Sequence, residues 1–117
     1  MNSKRLFDKI DYDNDSEWVM KEFFNSLYTQ GKFLWALPHI LKKNGCGVNE
    51  TYCIFPNFDD PDPEYHFDGI TFGVWEGEII VPESVGFEYV RLACEKYLQL
   101  HPEDKDKVSA LLAKLPC

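Results

Sequence analysis

The densest group of side chains that could do chemistry is an acidic, proline-rich stretch in the middle of the chain. It reads Asn-Phe-Asp-Asp-Pro-Asp-Pro-Glu-Tyr-His over residues 57–66, and its carboxylates belong to Asp59, Asp60, Asp62 and Glu64. Carboxylate oxygens are hard ligands for Ca²⁺, can transfer protons and attract cationic side chains. Three interpretations are therefore open: a loop that binds a protein partner, a solvated loop without a partner, and a calcium site.

Two features of the stretch favour a protein partner. Pro61 and Pro63 restrict the backbone, so the carboxylates between them are held with limited freedom. Phe58 and Tyr65 flank the acids, and rigid aromatic side chains are common at the centre of protein interfaces. The predicted partner-binding residues are Asp59, Asp60, Asp62, Glu64 and Tyr65, together with Glu76 and Glu78 of a predicted hairpin.

The ligand pattern for a metal ion is incomplete. An EF-hand loop needs regularly spaced acids, a glycine and a closing glutamate, whereas here two prolines interrupt the acids. His66 could begin a site with Asp62 and Asp68, but the sequence reveals no further ligand. We therefore predict no metal and no cofactor. A small metal-binding or enzymatic domain around His66 and the acidic stretch remains the alternative.

Motifs for catalysis are missing from the sequence. The chain has three histidines, and none lies in a G-x-S-x-G or comparable nucleophile motif. Neither G-x-x-x-x-G-K-[ST] nor G-x-G-x-x-G occurs, so no phosphate-binding loop is predicted. We predict that the protein is not an enzyme.

The charge of the chain is concentrated in one segment. Residues 44–90 contain ten carboxylates and no lysine or arginine, although the whole chain has 20 acids, 12 bases and a net charge of −8. Nucleic acids and anionic membranes would be repelled by such a segment, because both are bound chiefly through lysine and arginine. A field of one sign suits a basic protein partner, whose approach it would steer.

The elements that must position these residues follow from periodicity. Apolar residues three and four apart predict four helices. The first begins near Asp15 or Ser16 and ends at Gly31, and the second covers residues 32–43, with Pro38 either inside it or in its first turn. The third runs from Ser84 to about Leu100, and the fourth opens at Pro102.

Between the helix pairs, β-branched and aromatic residues predict strands over 51–55, 66–75 and 78–81, with a turn at Glu76–Gly77. Two N-terminal helices, a small antiparallel three-stranded sheet and two C-terminal helices make an α+β fold. The length of 117 residues predicts a single domain over 1–117.

The N-terminal sequence and the cysteines predict a compartment. Acidic residues follow Lys4 and Arg5 where a signal peptide would need an apolar run, so we expect a cytoplasmic protein. Cys46, Cys53, Cys94 and Cys117 form no C-x-x-C pair, and we expect them to be reduced thiols.

Three stretches of the sequence resemble one known family. Residues 6–24, which begin Leu-Phe-Asp-Lys-Ile, and residues 93–105, which begin Ala-Cys-Glu-Lys-Tyr, are similar to the ends of immunity proteins from contact-dependent growth inhibition systems. Cys-Ile-Phe-Pro at residues 53–56, followed by Asp59 and Asp60, fits the same group, which neutralises ribonuclease toxins.

This resemblance implies a function and a partner. The partner would be the cognate C-terminal toxin domain of a large exported protein, bound in a 1:1 complex over its active or substrate-binding surface. It carries no contact residues over to this chain. The remaining alternative is an acidic adaptor, or a nucleic-acid mimic, for some other basic protein.

Overall fold

The computed structural model describes residues 5–115 and contains four α-helices and one antiparallel sheet within them. The helices are α1 (Trp18–Thr29), α2 (Phe33–Leu41), α3 (Glu83–Leu100) and α4 (Lys105–Leu112). The strands are β1 (Cys46–Val48), β2 (Thr51–Ile54), β3 (Ile70–Val74) and β4 (Gly77–Val81). Two 3₁₀ turns cover Pro63–Tyr65 and Pro102–Asp104. The predicted α+β class and helix pairs are confirmed.

The predicted number of strands is wrong, because the sheet has four strands in the order β1-β2-β3-β4. β1 is only three residues long and contains Gly47, so it shows no apolar alternation that a sequence pattern could detect. It pairs with β2 through a tight turn at Asn49–Glu50, where Asn49 adopts a φ of 54°. Asparagine tolerates this left-handed conformation better than most residues do.

The helix starts differ from the predicted ones by short steps. Glu17 occupies the N-cap position of α1, and its backbone N–H donates to Asp15 Oδ1 at 2.9 Å. The carboxylate of Asp15 thus accepts a hydrogen bond from the residue just before the helix. Ser84 is not the cap of α3, since Pro82 occupies that position. Pro38 lies inside α2, which begins at Phe33, so it does not mark a first turn.

The inner face of the sheet carries the core. Ile70, Phe72 and Val74 of β3 are all buried, and Phe72 lies 5.0 Å from the ring of Phe23 on α1 in an edge-to-face contact. α3 reaches the same face at Gly86, where an added Cβ would lie 2.7 Å from Ile70 Cδ1. Helices therefore cover one face of the sheet, which we call the inner face.

Three cysteines lie within the described residues, and all three are free thiols. Cys53 and Cys94 are buried, and desolvation raises the pKa of both thiols. Burial also raises the pKa of Cys46, to about 11. Cys117 lies outside the described residues. Among residues 5–115, no helix has the length and apolar character needed to cross a membrane.

Candidate partner-binding surface

The outer face of the sheet is built by side chains that alternate with the core residues. Cross-strand partners share a face, so the register fixes two rows. One row joins Tyr52, Gly73 and Glu78, and the other joins Ile54, Thr71 and Ile80. We call these six residues the outer face. Ile80 is 51% exposed, although it is a large aliphatic residue in the middle of a strand.

Tyr52 organises the first of these rows. Its ring lies flat over Gly73, where an added Cβ would be 2.0 Å from Tyr52 Cζ, and its hydroxyl donates to the Glu78 carboxylate. The hydrogen bond to Glu78, partial burial and the charges of Glu78 and Glu64 together raise the pKa of Tyr52 to about 12. Tyr52 therefore contacts one of the predicted binding carboxylates directly, and the charge of a second acts on it.

The acidic loop, residues 55–69, connects β2 to β3 and is held by its own hydrogen bonds. The backbone N–H of Asn57 donates to the carbonyl of Tyr65 at 2.8 Å and closes the loop. Asp62 Oδ1 accepts from the backbone N–H of Glu64 at 2.9 Å and so caps the 3₁₀ turn. Asp60 Oδ1 accepts from the N–H of Asp62 at 2.9 Å. The carboxylates of Asp60 and Asp62 are thus held in place by the loop backbone.

His66 is engaged within the same loop. Its Nε2 lies 2.6 Å from the carbonyl oxygen of Asp60, which can only accept, so Nε2 carries the proton. The imidazole stacks on Phe58 at 5.7 Å, and Phe58 is 62% exposed. Across residues 5–115, no three His, Cys, Asp or Glu side chains are grouped so that they could hold a metal ion. The alternative of a metal site around His66 therefore finds no support there.

Most carboxylates of the acidic segment have no cationic partner. Of the ten in residues 44–90, only Glu83 and Glu88 form ion pairs with described residues, with Lys43 at 3.0 Å and with Arg91 respectively. The other eight are unpaired in the part of the chain that the structure describes. They are Glu50, Asp59, Asp60, Asp62, Glu64, Asp68, Glu76 and Glu78. An unpaired field of one sign attracts and orients a cationic partner.

Glu76 does not join the other predicted residues. It lies with Trp75 in the β3–β4 turn, at the end of the sheet opposite the acidic loop. A five-residue strand rises about 3.3 Å per residue, which places the two ends roughly 15 Å apart. Glu78 lies between them. The seven predicted residues therefore do not form one compact cluster: five lie in the acidic loop, Glu78 lies in β4 and Glu76 lies in the turn.

Sequence reasoning missed the apolar part of this surface. Ile80 and Tyr52 lie on the outer face, and Trp75 in the β3–β4 turn is 76% exposed, although all three read as ordinary strand residues. The alternation of β4, in which Glu78 and Ile80 share one face, could have revealed that an aliphatic side chain points away from the core.

The comparisons with known proteins agree with this architecture. A family model described as CDI immunity protein matches residues 16–112. Among solved structures, the chain is similar to an immunity protein from Neisseria meningitidis MC58, with a TM-score of 0.70 and 18% sequence identity. The alignment covers 87% of this chain and 90% of that protein. No curated protein sequence matches significantly.

The match over residues 16–112 identifies the class of the protein: it is an immunity protein. The chain belongs to the CDI immunity protein family, which confirms the family resemblance, and membership implies a cognate toxin as its partner.

Proposed function

We propose that the protein binds and neutralises a cognate ribonuclease toxin domain, without catalysis, by covering its active or substrate-binding surface. The observation that carries this proposal is the set of eight carboxylates in residues 44–90 that have no cationic partner among the described residues. A ribonuclease binds its polyanionic substrate through lysine and arginine. An anionic protein surface can occupy those same cations.

The binding surface combines the acidic loop with the outer face of the sheet. Asp59, Asp60, Asp62 and Glu64 supply charge at one end, and Glu78 extends it along β4. The exposed rings and aliphatic side chains beside them can exclude water from the charge pairs, which strengthens each pair.

The partner would be the C-terminal domain of a large exported protein, bound in a 1:1 complex. A ribonuclease that enters a bacterial cell finds its RNA in the cytoplasm, so its inhibitor acts there. An acidic adaptor for another basic protein would make a similar use of charge. A binding measurement distinguishes the two functions. The immunity function requires tight binding to the C-terminal domain of the protein encoded immediately upstream, whereas an adaptor does not.

The experiment compares two triple variants of equal charge. In the first, Asp59, Asp60 and Asp62 become Asn, which keeps the oxygens that accept the loop hydrogen bonds. The control changes three exposed acids outside the segment, Asp8, Asp13 and Asp106, none of which forms a side-chain hydrogen bond or ion pair with a described residue. The control variant is D8N/D13N/D106N.

Affinity for the toxin domain should fall far more in the loop variant than in the control. Loss of a carboxylate that faces a desolvated lysine or arginine should cost on the order of 2–5 kcal/mol, mostly through the off-rate. If the carboxylates only steer the toxin from the rim, their loss should instead lower the on-rate, which can reach about 10⁸–10⁹ M⁻¹s⁻¹ at low salt. If the loop variant binds the toxin and protects cells as well as the parent does, the loop is not the binding surface.

A further inference from the structure

β4 is one of the two edge strands of the sheet, and half of its backbone N–H and C=O groups point away from β3. The turn Trp75–Glu76 has two residues, so the flanking pair Val74 and Gly77 exchange hydrogen bonds. Antiparallel pairs alternate between bonded and non-bonded, which makes Phe72–Ile79 and Ile70–Val81 the next bonded pairs. The N–H and C=O groups of Glu78 and Ile80 therefore face the open edge.

Nothing among residues 5–115 satisfies these groups. None of the backbone hydrogen bonds outside the regular elements involves β4, and no side chain donates to or accepts from its backbone. Trp18 packs against Gly77, but it does so from the inner face, where a Cβ would lie 3.1 Å from the ring. The other edge strand, β1, is three residues long and leaves only Gly47 facing outward by the same alternation.

We propose that an extended basic segment of the toxin adds to the edge of β4 as a fifth strand of the sheet. This inference rests on the proposed function and specifies how the partner docks. An open edge is a template for pairing with another chain. The pleat would place two side chains of the added strand beside Glu78 and Ile80 on the outer face. This arrangement suits a cationic side chain beside Glu78 and an apolar one beside Ile80.

Charge identifies the occupant as a basic partner and not a second copy of this chain. Each copy has a net charge of −8. Pairing of two β4 edges would bring both copies of Glu76 and Glu78 together, and these carboxylates have no cations among the described residues to offset the repulsion.

Amide hydrogen exchange, measured by NMR, tests the proposal. In the free protein the amides of Glu78 and Ile80 should exchange fast, whereas those of Gly77, Ile79 and Val81 should be protected by β3. Addition of the catalytically inactivated C-terminal domain encoded immediately upstream should protect Glu78 and Ile80 as well. If the complex forms and these two amides still exchange fast, strand addition is wrong while the immunity function stands. If no complex forms, the proposed function itself fails.

A pair of substitutions provides a second test. Ile80→Pro removes the edge-facing N–H, and proline is tolerated on an edge strand where that group is not needed for the ladder. Ile80→Ala removes the side chain but keeps the N–H. The proline variant should bind the toxin domain about tenfold more weakly than the alanine variant. Equal affinity of the two folded variants would overturn the inference. It would also be overturned if the parent protein forms a dimer and the Ile80→Pro variant does not, because a second copy would then occupy the β4 edge. If the proline variant does not fold, the exchange experiment decides.

Discussion

On the inner face of the sheet, Ile70 and Phe72 are 0% exposed, whereas on the outer face Ile80 is 51% exposed and Glu78 is open to solvent. The same two strands, β3 and β4, supply both sets, because successive side chains of a strand point to opposite faces. The inner set lies among aromatic rings of α1. The outer set includes a glycine, a glutamate and an exposed isoleucine.

This difference predicts that the residues that stabilise the chain are separate from those that we propose bind the toxin. The inner face is covered by α1 and α3, so its residues are constrained by packing and their loss should reduce the free energy of unfolding. On the outer face, the exposed side chains of Glu78 and Ile80 can be changed without disturbing the core. Substitutions on the two faces should therefore change different measurements, and three predictions test that separation.

The largest expected effect is that of Phe72→Ala. Phe72 contacts the rings of Phe23 and Phe24, and its loss should lower the free energy of unfolding by about 3–5 kcal/mol. Chemical denaturation measures this change. Ile80→Ala, the matched outer-face variant, should change stability by less than about 1 kcal/mol because its side chain is half exposed. Similar losses in both variants would mean that the outer face is also part of the stabilising core.

A smaller effect is expected from Gly73→Ala on the outer face. The new methyl group would collide with the ring of Tyr52, which can rotate away only by giving up its hydrogen bond to Glu78. Stability should change by no more than about 1–2 kcal/mol, because the displaced ring is accessible to solvent. Toxin affinity should fall about tenfold, since the ring and Glu78 both leave their places on the proposed surface. Unchanged affinity in titration calorimetry, with Tyr52 displaced in the NMR spectrum, would exclude this row from the interface.

Part of this surface could be predicted from the sequence. The acidic loop, the hairpin and the four helices can be predicted because composition and local periodicity are visible in the sequence. The strand β1 could not be predicted, because three residues that include Gly47 carry no pattern and become a strand only by pairing with β2. The effect of the Glu64 charge on the pKa of Tyr52 also depends on where the folded loop places Glu64, which local patterns do not reveal.

The separation of Glu76 from the acidic loop has the same origin. Along the chain, Glu76 and Glu78 look like equivalent hairpin acids. The register places Glu78 opposite Gly73 within the sheet, whereas Glu76 falls in the turn beyond the Val74–Gly77 pair. Register is set by long-range packing of the inner face and by turn geometry, and neither is visible in the charge pattern.

The smallest predicted effect is electrostatic and concerns Glu78 and Tyr52. The hydrogen bond to Glu78 is the largest cause that raises the pKa of Tyr52 to about 12, so Glu78→Gln should return this pKa toward its usual value near 10. Because the folded pKa exceeds the unfolded one, the interaction stabilises the fold below about pH 10, and the stabilisation is lost as pH rises from 10 through about 12. NMR titration of a Tyr52 ring label follows the pKa directly. Glu76→Gln is the matched control, since Glu76 is not among the causes of the shift and should leave the pKa near 12. Equal titration of Tyr52 in both variants would show that the hydrogen bond between Tyr52 and Glu78 does not form. The outer face would then lack the fixed arrangement on which its proposed role in toxin binding depends.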